Sequence, residues 1–243
     1  MATNLRIKII KSLQQKKNRL EHRLFVAEGR KLVLELLDSK FAKNIDAIYT
    51  TADFVDKHPF SHPKLEVVGT KDIERMTSLQ TTPEILAVVH FLPEPNLKSP
   101  SKLTLYLDGI QDPGNLGTIL RTAEWYGLKQ IIMSPNCVDI YNPKAIQATM
   151  GSIFRVEVGT KNLSDYLAAN SFSQVIGTTL GGINIRDFEV KYPCLIVLGS
   201  ESHGMQVENQ KRCSDLVTIP NFGSGESLNV TIAAAIAMDR FTS

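Results

Sequence analysis

The chain has 243 residues, 43% hydrophobic and 21% charged, an ordinary globular composition that can bury one large or two modest cores. No apolar run approaches the ~18 charge-free residues of a membrane helix. Cys137, Cys194 and Cys213 are odd in number and far apart, with no C-x-x-C, which disfavours a disulfide framework or a zinc site and fits a reducing cytoplasm.

The formal net charge is only +2, but it is unevenly spread: residues 1–31 hold Arg6, Lys8, Lys11, Lys16, Lys17, Arg19, Arg23, Arg30 and Lys31 against Glu21 and Glu28. Such a cluster can neutralise nucleic-acid phosphates, and it serves equally as a solvated helix face. The opening "MATNLRIKIIKSL" is basic and free of acids, as a mitochondrial presequence would be. It is, however, Lys-rich, poor in Ser, and runs directly into "LFVAEG", which disfavours that interpretation.

Short strands follow in "LFVAEG", "IDAIYTT", "KLEVVGT" and "ILAVVHF", interleaved with helical patterns in "GRKLVLELLDS" and "KDIERMTSL", so the first part is a small α/β module. The stretch "FLPEPNLKSPSK" (91–102) carries Pro93, Pro95 and Pro100 among polar residues and marks a domain boundary, giving domains over 1–95 and 102–243. Beyond it, "KLTLYLDG", "KQIIMSP", "FRVEV", "SQVIGTT", "CLIVLGS" and "LVTIP" are apolar runs of strand length. Helical segments near 115–127, 142–151, 161–169, 205–213 and 227–241 separate them. This alternation predicts an α/β fold with a mostly parallel sheet and helices on both faces.

Ligands of such sheets collect beyond the carboxyl ends of the strands, so the strand-to-helix loops carry the functional expectation. In "LDGIQDPGNLGTILRTAEWYG" (107–127), Pro113 and Gly114 make a turn, Asn115 is positioned as a helix N-cap, and Gly127 closes the helix. Arg121 either pairs with Glu124 three residues on or clamps an RNA phosphate with its planar donor fork. In "LGSESHGM" (198–205), Gly199 and Gly204 bracket Glu201 and allow close backbone approach to a ligand. Adjacent Ser202 and His203 do not make a catalytic dyad, since a nucleophile elbow needs G-x-S-x-G and this window reads S-x-S-x-G. In "IPNFGSGESLNVTIAAAIAM" (219–238), Ser227 is placed to cap a helix and Asn229 lies inside its first turn, where Asn is a poor helix former without another task. The apolar run that follows is hydrophobic almost all round, which fits either cover on its far side by a second subunit or a capped core helix in a monomer. No G-x-G-x-x-G or G-x-x-x-x-G-K-[ST] occurs, which argues against a nicotinamide-dependent oxidoreductase or a triphosphate site.

Together, "DPGNLGTILRTAEWYG", "LIVLGSESHGM" and "IPNFGSGESLNVTIAAAIAM", in this order and with "ATMGSIFRVEV" between the first two, resemble the three motifs of the SpoU family of RNA 2′-O-ribose methyltransferases within the SPOUT superfamily. The resemblance covers residues 103–243. "KNRLEHRLFVAEGRKLVLELL" and "TSLQTTPEILAVV" resemble the ribosomal-protein-like RNA-binding module that many members carry. The resemblance implies S-adenosylmethionine as methyl donor with no metal, a C-terminal trefoil knot, a homodimer, and ribosomal RNA as substrate in preference to transfer RNA. It places the donor pocket at Thr178, Thr179, Leu198, Gly199, Ile219 and Leu228, largely through backbone contacts. Asn115, Arg121, Glu201, Ser227 and Asn229 become the catalytic and RNA-facing set. One position departs from the family pattern: Asn221 stands where a methionine usually follows "IP". The family proposal makes Arg121 the base, yet guanidinium keeps its proton to pH ~12 or beyond. A donor role for Arg121, with the proton passing to a phosphate oxygen or water, is chemically easier. The competing expectation is a non-catalytic RNA-binding or ribosome-assembly protein on the same fold, which would need none of Asn115, Arg121, Ser227 and Asn229.

Overall fold

The computed structural model describes residues 3–97 and 101–242; Met1 and Ala2 of the basic opening segment and Pro100 of the linker lie outside the described residues. The chain divides into two compact units, Met1–Pro93 with Asp139–Phe154 and Glu94–Val138 with Arg155–Ser243. No helix among the described residues is long and apolar enough to cross a membrane.

The first unit opens with α1 (Asn4–Ser12) and α2 (Lys16–His22). It continues through β1 (Leu24–Glu28), α3 (Arg30–Leu37), β2 (Ile45–Thr50), α4 (Ala52–Lys57), β3 (Leu65–Val67), α5 (Thr70–Met76) and β4 (Ile85–His90). Thr3 and Thr51 start α1 and α4 by accepting from backbone N–H groups three residues on, Arg6 N and Phe54 N. The sheet order is β1-β4-β2-β3, with β4 antiparallel to both neighbours and β2 parallel to β3. Ile7 and Ile10, three apart on α1, join Leu24, Tyr49, Ile73, Met76, Leu86 and Val88 in one core.

The basic cluster splits between structural and solvated cations. Arg19 is 2% exposed; it donates to Asp139 Oδ2 from Nε and Nη2 (2.9 and 2.7 Å) and from Nη1 to the Leu13 and Gln14 carbonyls, both at 2.8 Å. Arg6 pairs with Asp46, and Lys11 Nζ donates to the Thr77 carbonyl at 2.7 Å. Lys8, Lys16, Lys17, Arg30 and Lys31 are exposed.

The second unit holds β5 (Leu103–Asp108), α6 (Pro113–Trp125) and β6 (Gln130–Met133). The chain then gives α7 (Pro143–Thr149) to the first unit before β7 (Glu157–Thr160), α8 (Leu163–Ala169), β8 (Gln174–Asn184), β9 (Cys194–Gly199), α9 (Val207–Gln210), β10 (Asp215–Thr218) and α10 (Val230–Thr242). The strand order is β10-β8-β9-β5-β6-β7, and every pairing is parallel. β5 and β9 are interior strands buried on both faces, which is why "LTLYLD" and "CLIVLG" are almost unbroken apolar runs. Leu163 and Tyr166 of α8, with Met205 and Cys213, cover Tyr106, Leu195 and Val197. Leu105 and Leu107 alternate to the opposite face of β5, and α10 packs against α6 and β9.

Three expectations change. The boundary at 91–102 puts the helical segment near 142–151 in the second domain, but α7 packs against β1 and Tyr141 stacks on Phe25 and Phe91, with ring centroids 4.8 and 4.1 Å apart. Strand β7 begins at Glu157 rather than at Phe154, because Ser152–Phe154 forms a 3-10 turn. The helix expected over 205–213 shrinks to the single turn of α9.

Candidate functional site

The loops leaving β5, β9 and β10 meet at the carboxyl edge of the sheet, where the connection out of β5 runs to α6 and that out of the adjacent β9 runs toward α9. Adjacent strands whose connections leave to opposite faces open a crevice between them. At its centre, Glu201 Oε1 accepts from Asn115 Nδ2 (3.0 Å), Asn229 Nδ2 (2.5 Å) and the backbone N–H of Val230 (3.0 Å). One carboxylate oxygen thereby joins the first turn of α6, the β9 loop and the start of α10. An anion facing the first N–H groups of α10 also suits the positive end of that helix.

The start of each helix differs from expectation in a way that frees a side chain. Asp112, not Asn115, caps α6: its Oδ1 accepts from Asn115 N at 2.7 Å, and Pro113 occupies the first helical position, which needs no N–H partner. The Asn115 side chain is therefore available to Glu201. Likewise α10 begins at Val230, so Asn229 is the residue before the helix and not inside it. Its carbonyl accepts from Ile232 N and Ala233 N, both at 3.0 Å, and its Oδ1 accepts from Thr231 N at 2.9 Å. Ser227, expected as the cap, sits two residues earlier and makes no capping bond. Both Ser227 and Asn229 are exposed, so their polarity costs nothing in desolvation.

Beside this cluster lies a cleft of about 680 Å³ whose lining includes Thr178, Thr179, Leu198, Gly199, Glu201, Ile219, Ser227 and Leu228. Strand β8 shapes one wall. It leaves its partner after the pair Leu216↔Gly177 and rejoins at Val217↔Ile183, which releases Thr178, Thr179 and Leu180 from the ladder. Gly199 allows the close approach of the next wall: a Cβ there would lie 2.2 Å from Gly204 C and Met205 N. Asn221 ties the glycine-rich loop to itself, with Nδ2 donating to Gly225 O at 2.7 Å and Oδ1 accepting from Gly223 N at 2.8 Å. Among the described residues, the lining carries the carboxylates of Glu201 and Glu226 and neither Lys nor Arg.

Arg121 is not brought to this cluster. It is exposed on α6, six residues beyond Asn115, hence about 9 Å along the axis and on a different face. The pairing with Glu124 is absent; Glu124 instead pairs with Arg155, whose Nη2 lies 3.1 Å from Oε2. Arg121 has no hydrogen-bond or ion-pair partner among the described residues. Ser202 Oγ and His203 Nδ1 do lie 2.8 Å apart, but among the described residues no carboxylate orients the imidazole, so the third member of a triad is missing. Glu226, Leu180 and Met205 also line the cleft and carried no sequence signal. The Asp-Pro pair at 112–113 did carry one, since Asp followed by Pro is a helix-start pattern.

A family model for the SpoU rRNA Methylase family matches residues 102–239, and one for the MRM3-like substrate binding domain matches residues 4–89. The 23S rRNA (guanosine(2553)-2′-O)-methyltransferase RlmP of Bacillus subtilis is 31% identical over 240 residues, covering 97% of this chain and 95% of the relative. A solved structure described as a putative RNA methyltransferase of the TrmH family from Porphyromonas gingivalis superposes with a TM-score of 0.87 at 34% identity, covering 99% of this chain and 98% of that one. The AdoMet-bound rRNA methyltransferase from Sinorhizobium meliloti also gives 0.87, at 30% identity, over 99% and 95% of the two chains.

Proposed function

The chain belongs to the SpoU rRNA methylase family, and on that premise we propose that it transfers the methyl group of S-adenosylmethionine to a ribose 2′-hydroxyl of ribosomal RNA. The observation that carries this reading is the convergence of three separate loops on Glu201 at the rim of one cleft.

The residues present fit the donor. A volume of about 680 Å³ suits a nucleoside-sized ligand. Leu198, Ile219 and Leu228 offer apolar surface for an adenine ring, and strand backbone offers its polar edge partners. Two carboxylates without a lysine or arginine favour a ligand bearing sulfonium and ammonium charge over a phosphate-rich dinucleotide. When bound, the sulfonium supplies an electrophilic methyl and a neutral thioether leaving group.

This chain's task is then to hold the ribose hydroxyl in line and to accommodate its lost proton; positioning of this kind supplies ~7 to 11 kcal/mol of a barrier. Glu201 fixes the Asn115 and Asn229 carboxamides, which orient the hydroxyl together with Ser227. Arg121 lies away from the cluster of its own chain, so in the proposed homodimer it serves the partner's cleft, binding the target phosphate and stabilising developing alkoxide charge with a donor fork that stays protonated. The proton passes to an RNA phosphate oxygen or to water. No step calls on a metal ion.

Arg121 shares the exposed face of α6 with Trp125, four residues on, and Trp125 is 86% exposed. On α10, which packs on α6, Ile232 is 49% exposed. Two large apolar side chains exposed on packed helices support a homodimer through this region, with Arg121 at its seam. The chain returns from the edge strand β10 to α10, beside α6 and β9, a path compatible with the trefoil knot that the resemblance implies. Exposed Lys8, Lys16, Lys17, Arg30 and Lys31 in the first unit support RNA-phosphate contacts there. The three free cysteines support a reducing, cytoplasmic setting.

The test is to map 2′-O-methyl sites in RNA from cells lacking the protein. One ribosomal RNA ribose is expected to be unmethylated and to regain its methyl group when the purified protein and S-adenosylmethionine are added. Loss of a site in transfer RNA alone would move the substrate, and no lost site in either would refute the reading.

A further inference from the structure

Asp108 ends β5, is 1% exposed, and pairs in register with Gly199, the last residue of β9. Its carboxylate accepts from Gln206 twice, from the backbone N–H at Oδ2 (2.7 Å) and from Nε2 at Oδ1 (2.9 Å). Both ends of the segment 200–205 are thus fastened to a single residue of an interior strand. Between those ends, Ser200 and Gly204 exchange two backbone hydrogen bonds of 3.0 and 2.9 Å, and Gly204 adopts φ +65 to close the turn. This short closed loop carries Glu201, and all six of its residues line the cleft.

A buried carboxylate is costly unless its oxygens are satisfied, and here neutral donors from one residue satisfy both. Among the described residues no hydrogen bond or ion pair joins Asp108 to the Glu201 cluster, so it acts through the loop. We infer that the Asp108–Gln206 clasp is a positioning device that holds the loop 200–205 in the geometry competent to bind the methyl donor and to present Glu201. This inference rests on the proposed methyl transfer for its functional half, whereas the clasp itself stands on geometry. A loop released from the clasp spends only part of its time in the competent geometry. Apparent affinity then falls by that fraction, while the turnover at saturating donor is retained.

The test exploits the direction of the two hydrogen bonds. Gln206→Glu sets a second carboxylate against Asp108. The double variant Asp108→Asn with Gln206→Glu restores both bonds, because the new amide group donates to the new carboxylate while its carbonyl still accepts from the backbone N–H of residue 206. The expected result for Gln206→Glu is a KM for S-adenosylmethionine raised about tenfold with kcat nearly unchanged. Hydrogen exchange should also be faster in peptides covering 199–206 of the ligand-free protein, and the double variant should recover both quantities. A single variant matching the parent in KM and exchange, or a double variant that stays impaired, would overturn the inference. If the parent protein transfers no methyl group the proposed function fails, and the exchange comparison still decides whether the clasp holds the loop.

Discussion

Glu201 shows how far one side chain can organise a site. Its Oε1 takes three donors from two helix starts, so the carboxylate holds Asn115 and Asn229 in fixed orientation. Because the cluster is exposed, water replaces the lost partners when Glu201 is truncated, and stability changes little. Glu201→Ala is expected to lower kcat/KM for methyl transfer by on the order of ten- to a hundredfold, the loss that hydrogen bonds to a charged group imply, with an unchanged melting temperature. A second residue-scale expectation concerns the thiols. Burial pushes Cys194 up to about 12, and burial with the nearby Asp108 charge pushes Cys213 up to about 11. The folded state keeps these protons after the unfolded chain has released them near the ordinary value of about 8.5. Their contribution is therefore complete at neutral pH and is lost as pH rises from about 9 toward about 12. Denaturation midpoints measured from pH 7 to alkaline pH should fall less steeply in Cys213→Ala than in the parent.

At the scale of elements, α6 and α10 start at Pro113 and Val230, a few residues from where the sequence pattern puts them, and the displacement matters because it decides which side chains are free. The sequence "SLNV" offers Ser and Asn as alternative caps. Only the folded position of Val230 against Glu201 selects Asn229, a long-range contact that no local pattern encodes. Asn229→Ala should cost about 1 kcal/mol of stability as a lost cap, whereas Ser227→Ala should leave the melting temperature in place. Differential scanning calorimetry of the two variants checks this contrast. The strands of the parallel sheet were legible in order because interior strands buried on both faces leave unbroken apolar runs, as in "CLIVLG". The allegiance of α7 was not. Its buried residues Ala145, Ile146 and Thr149 describe a helix with one covered face, and nothing in one isoleucine and two smaller side chains says which core covers it. The cleft was half legible: its glycines and threonines stood out, but the release of Thr178–Leu180 from the β8 ladder is a register shift set by the partner strand.

At the scale of the whole molecule, the proposed homodimer would account together for the exposed Trp125 and for Arg121, which has no partner among the described residues. Trp125→Glu is expected to give a folded monomer in sedimentation, with methyl transfer greatly reduced. A monomeric parent protein would separate the exposed face from the activity. The most direct measurement of the central claim uses the full chain, methyl-tritiated S-adenosylmethionine and ribosomal RNA from cells lacking the protein, followed by alkaline hydrolysis of the product. A methyl group on the ribose oxygen blocks backbone cleavage at that nucleotide. The account predicts tritium in an alkali-resistant dinucleotide; tritium in ordinary mononucleotides, or none in RNA at all, would contradict it.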